Sequence, residues 1–494
     1  MPPPALCTLQ SMSTSKRAQD STLSHLPTRE RTLSAAVQTN LVLVLQSDRP
    51  LTVAARFRLS GTRGLAIGRG PESGSIQIEE ASSGTFAMRV PDPWMSSAHG
   101  VISASAGGWT VEDMQSKNGT LVNGRPIERA LLSNGDVIEL GHTLFVFRQA
   151  VSSSLGSRFL DASGLRPSAS GFATFSGSFA PELARVEAVS PSPVAVIVQG
   201  ESGTGKELIA SAIHKLSGRA GAFVPVNCAA LPKSLVESEL FGYRKGAFSG
   251  ANEDRPGLVR SADHGTLFLD EIGDLDPGAQ AVLLRALQES EVLPVGATRP
   301  VRVDFRLIAA THRDIAALVE QGRFRMDLLA RISGLTVALP PLRERIEDMG
   351  LLIGAILRRH CPDEAGRISF SSDAARALLL YSWPLNIREL EKNLTAAVAL
   401  AKGGPIQLGH LSKAVREALE SKPASGASSA PESAEAAEPA RLSAPDRRRR
   451  DQILALLSEH GGNITAVARA LGTARTQVQR WLKRYRIDSK SFRQ

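Results

Sequence analysis

The chain has 494 residues, 42% of them hydrophobic and 22% charged, so it can build cores and, at roughly 150 residues per domain, fills about three domains. Its three cysteines (Cys7, Cys228, Cys361) are scattered and odd in number, which leaves no disulfide framework or zinc spacing and predicts a reducing, cytoplasmic compartment. No apolar run approaches the ~20 residues of a bilayer span, and aromatics at 5% argue against a β-propeller, so secreted, disulfide-stapled and membrane-embedded classes are excluded. The formal charge of +9 is local: residues 447–494 hold 12 basic and 3 acidic side chains, leaving 46 of each sign elsewhere. That is the footprint of a polyanion-binding appendage, or else a solvated basic tail.

In chain order, residues 1–39 are rich in Ser, Thr and Pro and read as a flexible leader. Residues 40–150 carry short apolar runs at 41–45, 65–67, 109–111, 121–122 and 143–147, with hairpin-type pairs Asn123-Gly124 and Asn134-Gly135, which predicts an all-β sandwich. Residues 151–179 are Ser/Gly-rich and read as a linker. From 180 to 415, buried-strand candidates at 194–198, 266–269 and 305–309 alternate with helical patterns, as in a parallel α/β sheet. Asp276-Pro277 signals a helix start, and 342–418 reads as helical throughout. A second linker spans 416–446, and 447–494 reads as three short helices. The predicted fold is multidomain: a β sandwich, an α/β domain with a helical lid, and an all-α carboxyl-terminal domain.

Gly200-Glu201-Ser202-Gly203-Thr204-Gly205-Lys206 fits the phosphate-binding loop pattern and stands between an apolar strand and a helix. Backbone N–H groups there can turn around phosphate oxygens, and Lys206 can reach the β- and γ-phosphates of ATP. Glu207 occupies the position where most such loops carry a Mg²⁺-binding hydroxyl. Further on, the strand before Asp270-Glu271 ends in two acids. At the carboxyl end of a parallel strand, Asp270 would hold Mg²⁺ and Glu271 would polarise the attacking water. Without the phosphate loop, the same pair reads as an ordinary acidic turn.

Residues 170–415 resemble the AAA+ activators of sigma-54 RNA polymerase, the bacterial enhancer-binding proteins. The resemblance rests on GESGTGKE from Gly200 to Glu207, whose terminal Glu is that family's habit, and on ESELFGYRKGAFSGA at 237–251. It implies that Gly246, Ala247, Phe248, Ser249, Gly250 and Ala251 form the loop that touches sigma-54, with Ser249 in place of a usual Thr. Read from composition alone, this is a mobile loop with an exposed aromatic anchor or a buried turn around Phe248. The resemblance further implies that Asn227 restrains Glu271, that Thr311 lies at the first sensor, that Arg325 and Arg331 serve a neighbouring subunit's site, and that Arg388 senses nucleotide from the lid. It also implies a homo-oligomeric ring, usually of six.

The helical spacing at 453–457, 464–471 and 477–482, with Leu471-Gly472-Thr473 between the last two, resembles a Fis-type helix-turn-helix. Arg475, Thr476, Gln477, Gln479, Arg480 and Lys483 would then face double-stranded enhancer DNA. A basic bundle that binds another protein is the competing reading. Near the amino terminus, Gly68-Arg69, Ser96-Ser97-Ala98-His99 and Ser116-Lys117-Asn118-Gly119-Thr120 resemble a forkhead-associated (FHA) domain. This implies phosphothreonine recognition, with Arg69 and Ser96 on the phosphate, Lys117 as a further cation and Asn118 on the peptide backbone. The expected function is an ATP-dependent activator that binds enhancer DNA and remodels sigma-54 RNA polymerase closed complexes, controlled by a phosphothreonine protein linked to a Ser/Thr kinase. The alternative is a DNA-bound phosphothreonine adaptor whose ATPase controls assembly without opening promoters.

Overall fold

Short runs of alternating residues build the amino-terminal region as two packed sheets. Its strands are β1 (Ala36–Gln46), β2 (Ala55–Arg58), β3 (Gly64–Arg69), β4 (Gln77–Ser82), β5 (Thr85–Val90), β6 (Gly100–Ser105), β7 (Gly108–Asp113), β8 (Thr120–Val122), β9 (Arg125–Ile127), β10 (Arg129–Leu131), β11 (Val137–Leu140), β12 (Thr143–Ser152) and β13 (Phe159–Asp161). One sheet is ordered β13-β2-β1-β12-β11-β8-β9 and the other β10-β7-β6-β3-β5-β4. Leu41, Phe57, Leu65, Ile102, Phe145 and Phe147 fill the space between them. Asn123-Gly124 closes the tight β8–β9 hairpin, with φ of +51° and +78° at the two turn residues. Asn134-Gly135 does not close a hairpin: it carries the chain from β10 in one sheet to β11 in the other. The 151–179 stretch, read as a linker from its composition, is partly built into the fold. There β13 pairs with β2, and Phe172, Phe175 and Phe179 are buried.

This computed structural model describes residues 36–421, apart from 52, 53, 72, 73, 153–156, 166, 170 and 233, and residues 453, 456, 457, 459, 460, 463–471 and 478 beyond them. The chain divides into two units, Met1–Ala427 and Ser428–Gln494.

The central region follows as α1 (Ala180–Val189), β14 (Val196–Gln199), α2 (Lys206–Leu216), β15 (Phe223–Asn227), α3 (Val236–Phe241), α4 (Leu258–Ser261), β16 (Thr266–Asp270), α5 (Pro277–Glu289), β17 (Glu291–Val292), β18 (Val301–Arg302), β19 (Arg306–Thr311), α6 (Ile315–Glu320), α7 (Met326–Ile332) and β20 (Leu335–Ala338). Five parallel strands run in the order β15-β16-β19-β14-β20. Their apolar runs are nearly continuous because both faces are covered: Val198 and Ile308 pack on Ile209 and Ile213 of α2, and Leu267 and Ala309 pack on Leu283 of α5. Helix α5 starts where Asp276-Pro277 predicted, with the Asp276 carboxylate accepting from Gly278 and Ala279 N–H. The lid is helical: α8 (Met349–His360), α9 (Ser372–Leu380), α10 (Asn386–Ala401) and α11 (Lys413–Ser421).

In the second unit, α12 (Ile464–Ala470) is capped by Asn463, whose side chain accepts from Ala466 N–H. Ile453, Leu457, Val467, Ala468 and Val478 form a small core there.

Candidate functional site

The loop from Gly200 to Gly205 joins β14 to α2, with Gly203 and Gly205 at φ +79° and +101°. Lys206 begins the helix, buried, and its Nζ donates back to the carbonyls of Gly200 (3.0 Å) and Glu201 (3.4 Å). Those two bonds wrap the loop into an arch. Gly200 and Thr204 N–H are taken by the Thr311 and Glu201 carbonyls, and N–H groups at the start of the helix that follows suit an anion.

The lid grips this loop residue by residue. Arg343 is bidentate to Glu201 (2.7 and 2.9 Å), Asn386 Nδ2 donates to the Ser202 carbonyl (3.1 Å), and Arg388 donates to Ser202 Oγ (3.0 Å). Ile387 N–H donates to the Gly203 carbonyl (2.9 Å), and Arg345 to the Thr204 carbonyl (3.0 Å). Hydrogen bonds from Arg343 and then from Asn386 hold the Glu201 carboxyl down to about 2. Asn386 is fully buried at φ +56°, a backbone region that asparagine tolerates, and its Oδ1 also accepts from Leu342 N–H. Leu385 sits at φ −101°, where a side chain carries no penalty. Arg388, expected to sense nucleotide from the lid, bonds to the loop at Ser202. Asn386, Arg343 and Arg345 carried no expected role, although the Pro340-Pro341-Leu342-Arg343-Glu344-Arg345 run at the start of the lid was the available signal.

Asp270 ends β16 at the carboxyl edge of the sheet, and Glu271 follows it beside the phosphate loop. Glu271 adopts φ +53°, a strained position for a side chain of its size. Its Oε2 meets His312 Nδ1 at 2.7 Å, and its Oε1 lies 3.5 Å from Lys206 Nζ. Burial pushes the Glu271 carboxyl up, but His312 and Lys206 outweigh it and leave it below the ordinary range. Asp270 goes the other way, raised by burial and by the charge of Glu271, with exposed Glu207 adding to the effect. Adjacent carboxylates pushed in opposite directions are suited to different tasks. Asn227 is level with Asp270 on the neighbouring strand, and its Oδ1 accepts from Ala229 N–H. Among the described residues, the side chains bonded to Glu271 are Lys206 and His312, the latter next to Thr311, the residue expected at the first sensor. Thr311 is fully buried, and its hydroxyl accepts from Arg313 N–H.

Arg325 precedes α7 and Arg331 lies in its last turn, both on the surface. Arg325 pairs with Asp327 (2.6 Å), and Arg331 donates to the Leu287 carbonyl (2.9 Å). Among the described residues neither bonds to the phosphate loop of its own chain. The 246–251 loop is pinched at its base by the Gly246 N–H to Ala251 carbonyl bond (2.9 Å). Its glycines take φ +82° and +107°, and Phe248 is 39% exposed with its ring edge on Tyr243. Bridges from Tyr243 to Arg255 and Val295 anchor the stem. Ala247, Ser249 and the two glycines add little bulk around the aromatic tip.

At one end of the sandwich, Arg69 closes β3 with its side chain exposed, and its N–H donates to the Ser96 carbonyl (2.9 Å). Ser96 Oγ accepts from Lys117 N–H (3.0 Å), and Asn118 Nδ2 donates to the Trp94 carbonyl (2.7 Å). Buried His99 braces both loops from inside: Nδ1 accepts from Ser96 N–H, and Nε2 meets the Gly119 carbonyl. The fold thus gathers Arg69, Ser96, Lys117 and Asn118 on adjoining loops. Arg475, Thr476, Gln477, Gln479, Arg480 and Lys483 lie outside the described residues. No helix among the described residues is long and apolar enough to cross a membrane.

Comparison with known proteins matches residues 174–338 to the sigma-54 interaction domain, 343–428 to the AAA+ ATPase lid domain, 65–141 to the FHA domain and 444–489 to a homeodomain-like domain. The chain is 51% identical over 222 residues to the hydrogenase transcriptional regulatory protein HoxA of Cupriavidus necator, covering 44% of this chain and 46% of that protein. It is 44% identical over 304 residues to the transcriptional regulatory protein ZraR of Escherichia coli (61% and 66%). It is 39% identical over 317 residues to the transcriptional regulatory protein GlrR of Escherichia coli (63% and 67%). The chain therefore spans between 46% and 67% of the length of these relatives. A phosphate loop gripped by a AAA+ lid, a sigma-54 interaction domain and these regulators as relatives place the chain in one family: it belongs to the sigma-54 enhancer-binding regulators, here with an amino-terminal FHA domain and a carboxyl-terminal helix-turn-helix.

Proposed function

We propose that this chain is a cytoplasmic, DNA-bound ATPase that remodels sigma-54 RNA polymerase at promoters and takes its instruction from a phosphothreonine protein. One observation carries the reading: Lys206, Glu271 and the lid residue Arg388 converge on one phosphate loop, and the same domain presents a glycine-flanked loop tipped by exposed Phe248. ATP would lie along residues 200–207, with Lys206 on its phosphates and Arg388 coupling its state to the lid. The Asp270 carboxylate, half-buried and raised by crowding, suits a divalent cation, and Mg²⁺ bound there would neutralise phosphate charge. Glu271 would polarise the water, held in place by His312, with Asn227 and Thr311 at the margins of the site. Surface-exposed Arg325 and Arg331 would act on the neighbouring subunit of a ring, likened to the family's hexamers, so hydrolysis would require assembly.

Motion of the lid and the 246–251 loop would then transmit hydrolysis to sigma-54. The helix-turn-helix would hold the ring on enhancer DNA through Arg475, Thr476, Gln477, Gln479, Arg480 and Lys483. At the other end, Arg69 and Ser96 would bind the phosphate of a kinase-modified threonine, with Lys117 and Asn118 beside it. The domain limits that go with this reading are 40–150, 180–415 and 447–494.

The test is promoter opening by the purified full-length chain with ATP, sigma-54 polymerase and no other activator. Opening that is lost in Phe248→Ala and in Glu271→Gln supports the proposal. ATP turnover without opening points instead to an adaptor whose ATPase only governs assembly. Binding of a phosphothreonine peptide, abolished by Arg69→Ala, tests the input side.

A further inference from the structure

Strand β1 reads Leu41-Val42-Leu43-Val44-Leu45, apolar at every position, and β12 reads Leu144-Phe145-Val146-Phe147. Successive side chains leave a strand on opposite faces, so such runs are apolar on both. Leu41, Leu43, Phe145 and Phe147 point into the sandwich. Val42, Val44, Leu144 and Val146 point away from it and enter one continuous core with Met349 and Ile353 of α8 and Ala374 and Leu378 of α9. The outer face of the FHA sheet is thus packed on the nucleotide lid of the same chain.

Backbone also meets backbone there. A Cβ at Gly350 of α8 would overlap the Val44 carbonyl, and Phe370 N–H donates to the Ser47 carbonyl at 2.7 Å. Two enclosed ion pairs flank the apolar contact. Arg376 of α9 is bidentate to Glu139 of β11 (2.7 and 3.0 Å), with side chains 14% and 5% exposed. Arg148 of β12 donates to Glu347 (2.6 Å) and to the Glu344 carbonyl (2.8 Å). Charges this enclosed are costly when the partner is removed, so the pairs select this one docked geometry.

Both ends of the interface lie close to a ligand site. Glu139 is paired with Leu121 in the β11–β8 ladder, three residues along from Asn118. On the lid side, buried Trp383 donates its indole N–H to Leu378 of α9 and immediately precedes the turn that carries Asn386 and Arg388 to the phosphate loop. Glu347 stands two residues from Arg345, which holds the Thr204 carbonyl.

We infer that the FHA domain is docked as a fixed part of its own nucleotide lid, so that a phosphopeptide at Arg69 and Ser96 and a nucleotide at Lys206 and Arg388 bias the same lid position. The peptide half of this rests on the phosphothreonine reading above; the docking half does not. Coupling of this kind is reciprocal: whatever factor the peptide applies to ATP affinity, ATP applies to peptide affinity.

The test uses the full-length chain in four forms: parent, Glu139→Arg, Arg376→Glu and the double charge swap. Hydrogen exchange of β11 and α9 reports docking, β6 and β16 report that the two domains remain folded, and a fluorescent ATP analogue reports affinity. Without peptide, each single reversal should speed exchange in β11 and α9 and change ATP affinity by about fivefold, and the double swap should restore both. A phosphothreonine peptide should shift ATP affinity in the parent and the double swap, and not in the single variants. Unchanged exchange in the single variants overturns the docking. Faster exchange with ATP affinity unmoved shows an idle interface and also overturns the inference. A peptide that binds the parent yet leaves ATP affinity alone refutes the coupling while the phosphothreonine reading stands. If no phosphothreonine peptide binds the parent, that reading and the coupling built on it both fall, and the peptide-free comparison still decides the docking.

Discussion

Adding a single methyl group at Gly350 probes the seam between sheet and lid without touching a charge. The β-bulge between Leu43 and Leu45 takes Val44 out of the β1–β12 ladder, and the Val44 carbonyl faces α8 at Gly350. An alanine Cβ would overlap that oxygen. The obstacle is strand backbone rather than the end of a flexible side chain, so α8 would have to retreat by about 1 Å, and overpacking against backbone falls in the upper part of the usual range, ~2–3 kcal/mol. Alanine returns up to about 1 kcal/mol through its better helix propensity, which leaves a net loss of ~1–2 kcal/mol. Local opening of the seam should then be about 5- to 30-fold more frequent. Hydrogen exchange at β1 and the first turn of α8 reads this directly. Gly366→Ala is the control, because nothing lies within 4 Å of its added Cβ. If Gly350→Ala exchanges like the parent and like Gly366→Ala, the close approach of α8 to β1 is wrong.

Other consequences can be checked singly. His312→Ala removes the 2.7 Å contact to Glu271 and should lower kcat about tenfold while nucleotide affinity stays put; an equal loss of affinity would mean that His312 acts on binding instead. Glu201, held near 2 by Arg343 and Asn386, is a depressed carboxylate, so the stability it adds is present above the unfolded value of 4.5 and is lost as pH falls toward 2. In Arg343→Met its titration should move up toward 4.5, as followed by NMR of ¹³C-labelled glutamate; an unmoved titration would remove Arg343 as the cause. Cys228 is buried, and burial together with Asp270, Asp274 and Glu271 pushes its thiol up to about 12. It should resist alkylation in the native protein and react on unfolding, and native labelling at Cys228 would contradict its placement.

Features whose physics is local were legible in the chain itself. The arch of residues 200–206 needs glycines at left-handed positions followed by a lysine, and the helix start at Asp276-Pro277 needs only a cap and a fixed φ. Asn123-Gly124 marked a hairpin for the same reason, since both residues accept positive φ. Asn134-Gly135 carried the same local signal, yet which strand receives the chain after a turn depends on distant partners, and it led to the other sheet. The linker reading of 151–179 followed its Ser and Gly content and passed over Phe172, Phe175 and Phe179, which the fold buries, and Phe159, which packs half-buried on the sandwich core.

What only the tertiary structure decided are the contacts between residues far apart in sequence. His312 reaches Glu271 because β16 and β19 are adjacent strands, and Asn386 reaches Ser202 because the lid folds back over the loop. Five apolar residues in a row in β1 already required both strand faces to be covered, for a period of two puts successive side chains on opposite sides. That the second face is covered by this chain's own lid was beyond the sequence, because burial is a property of the partner surface as much as of the strand.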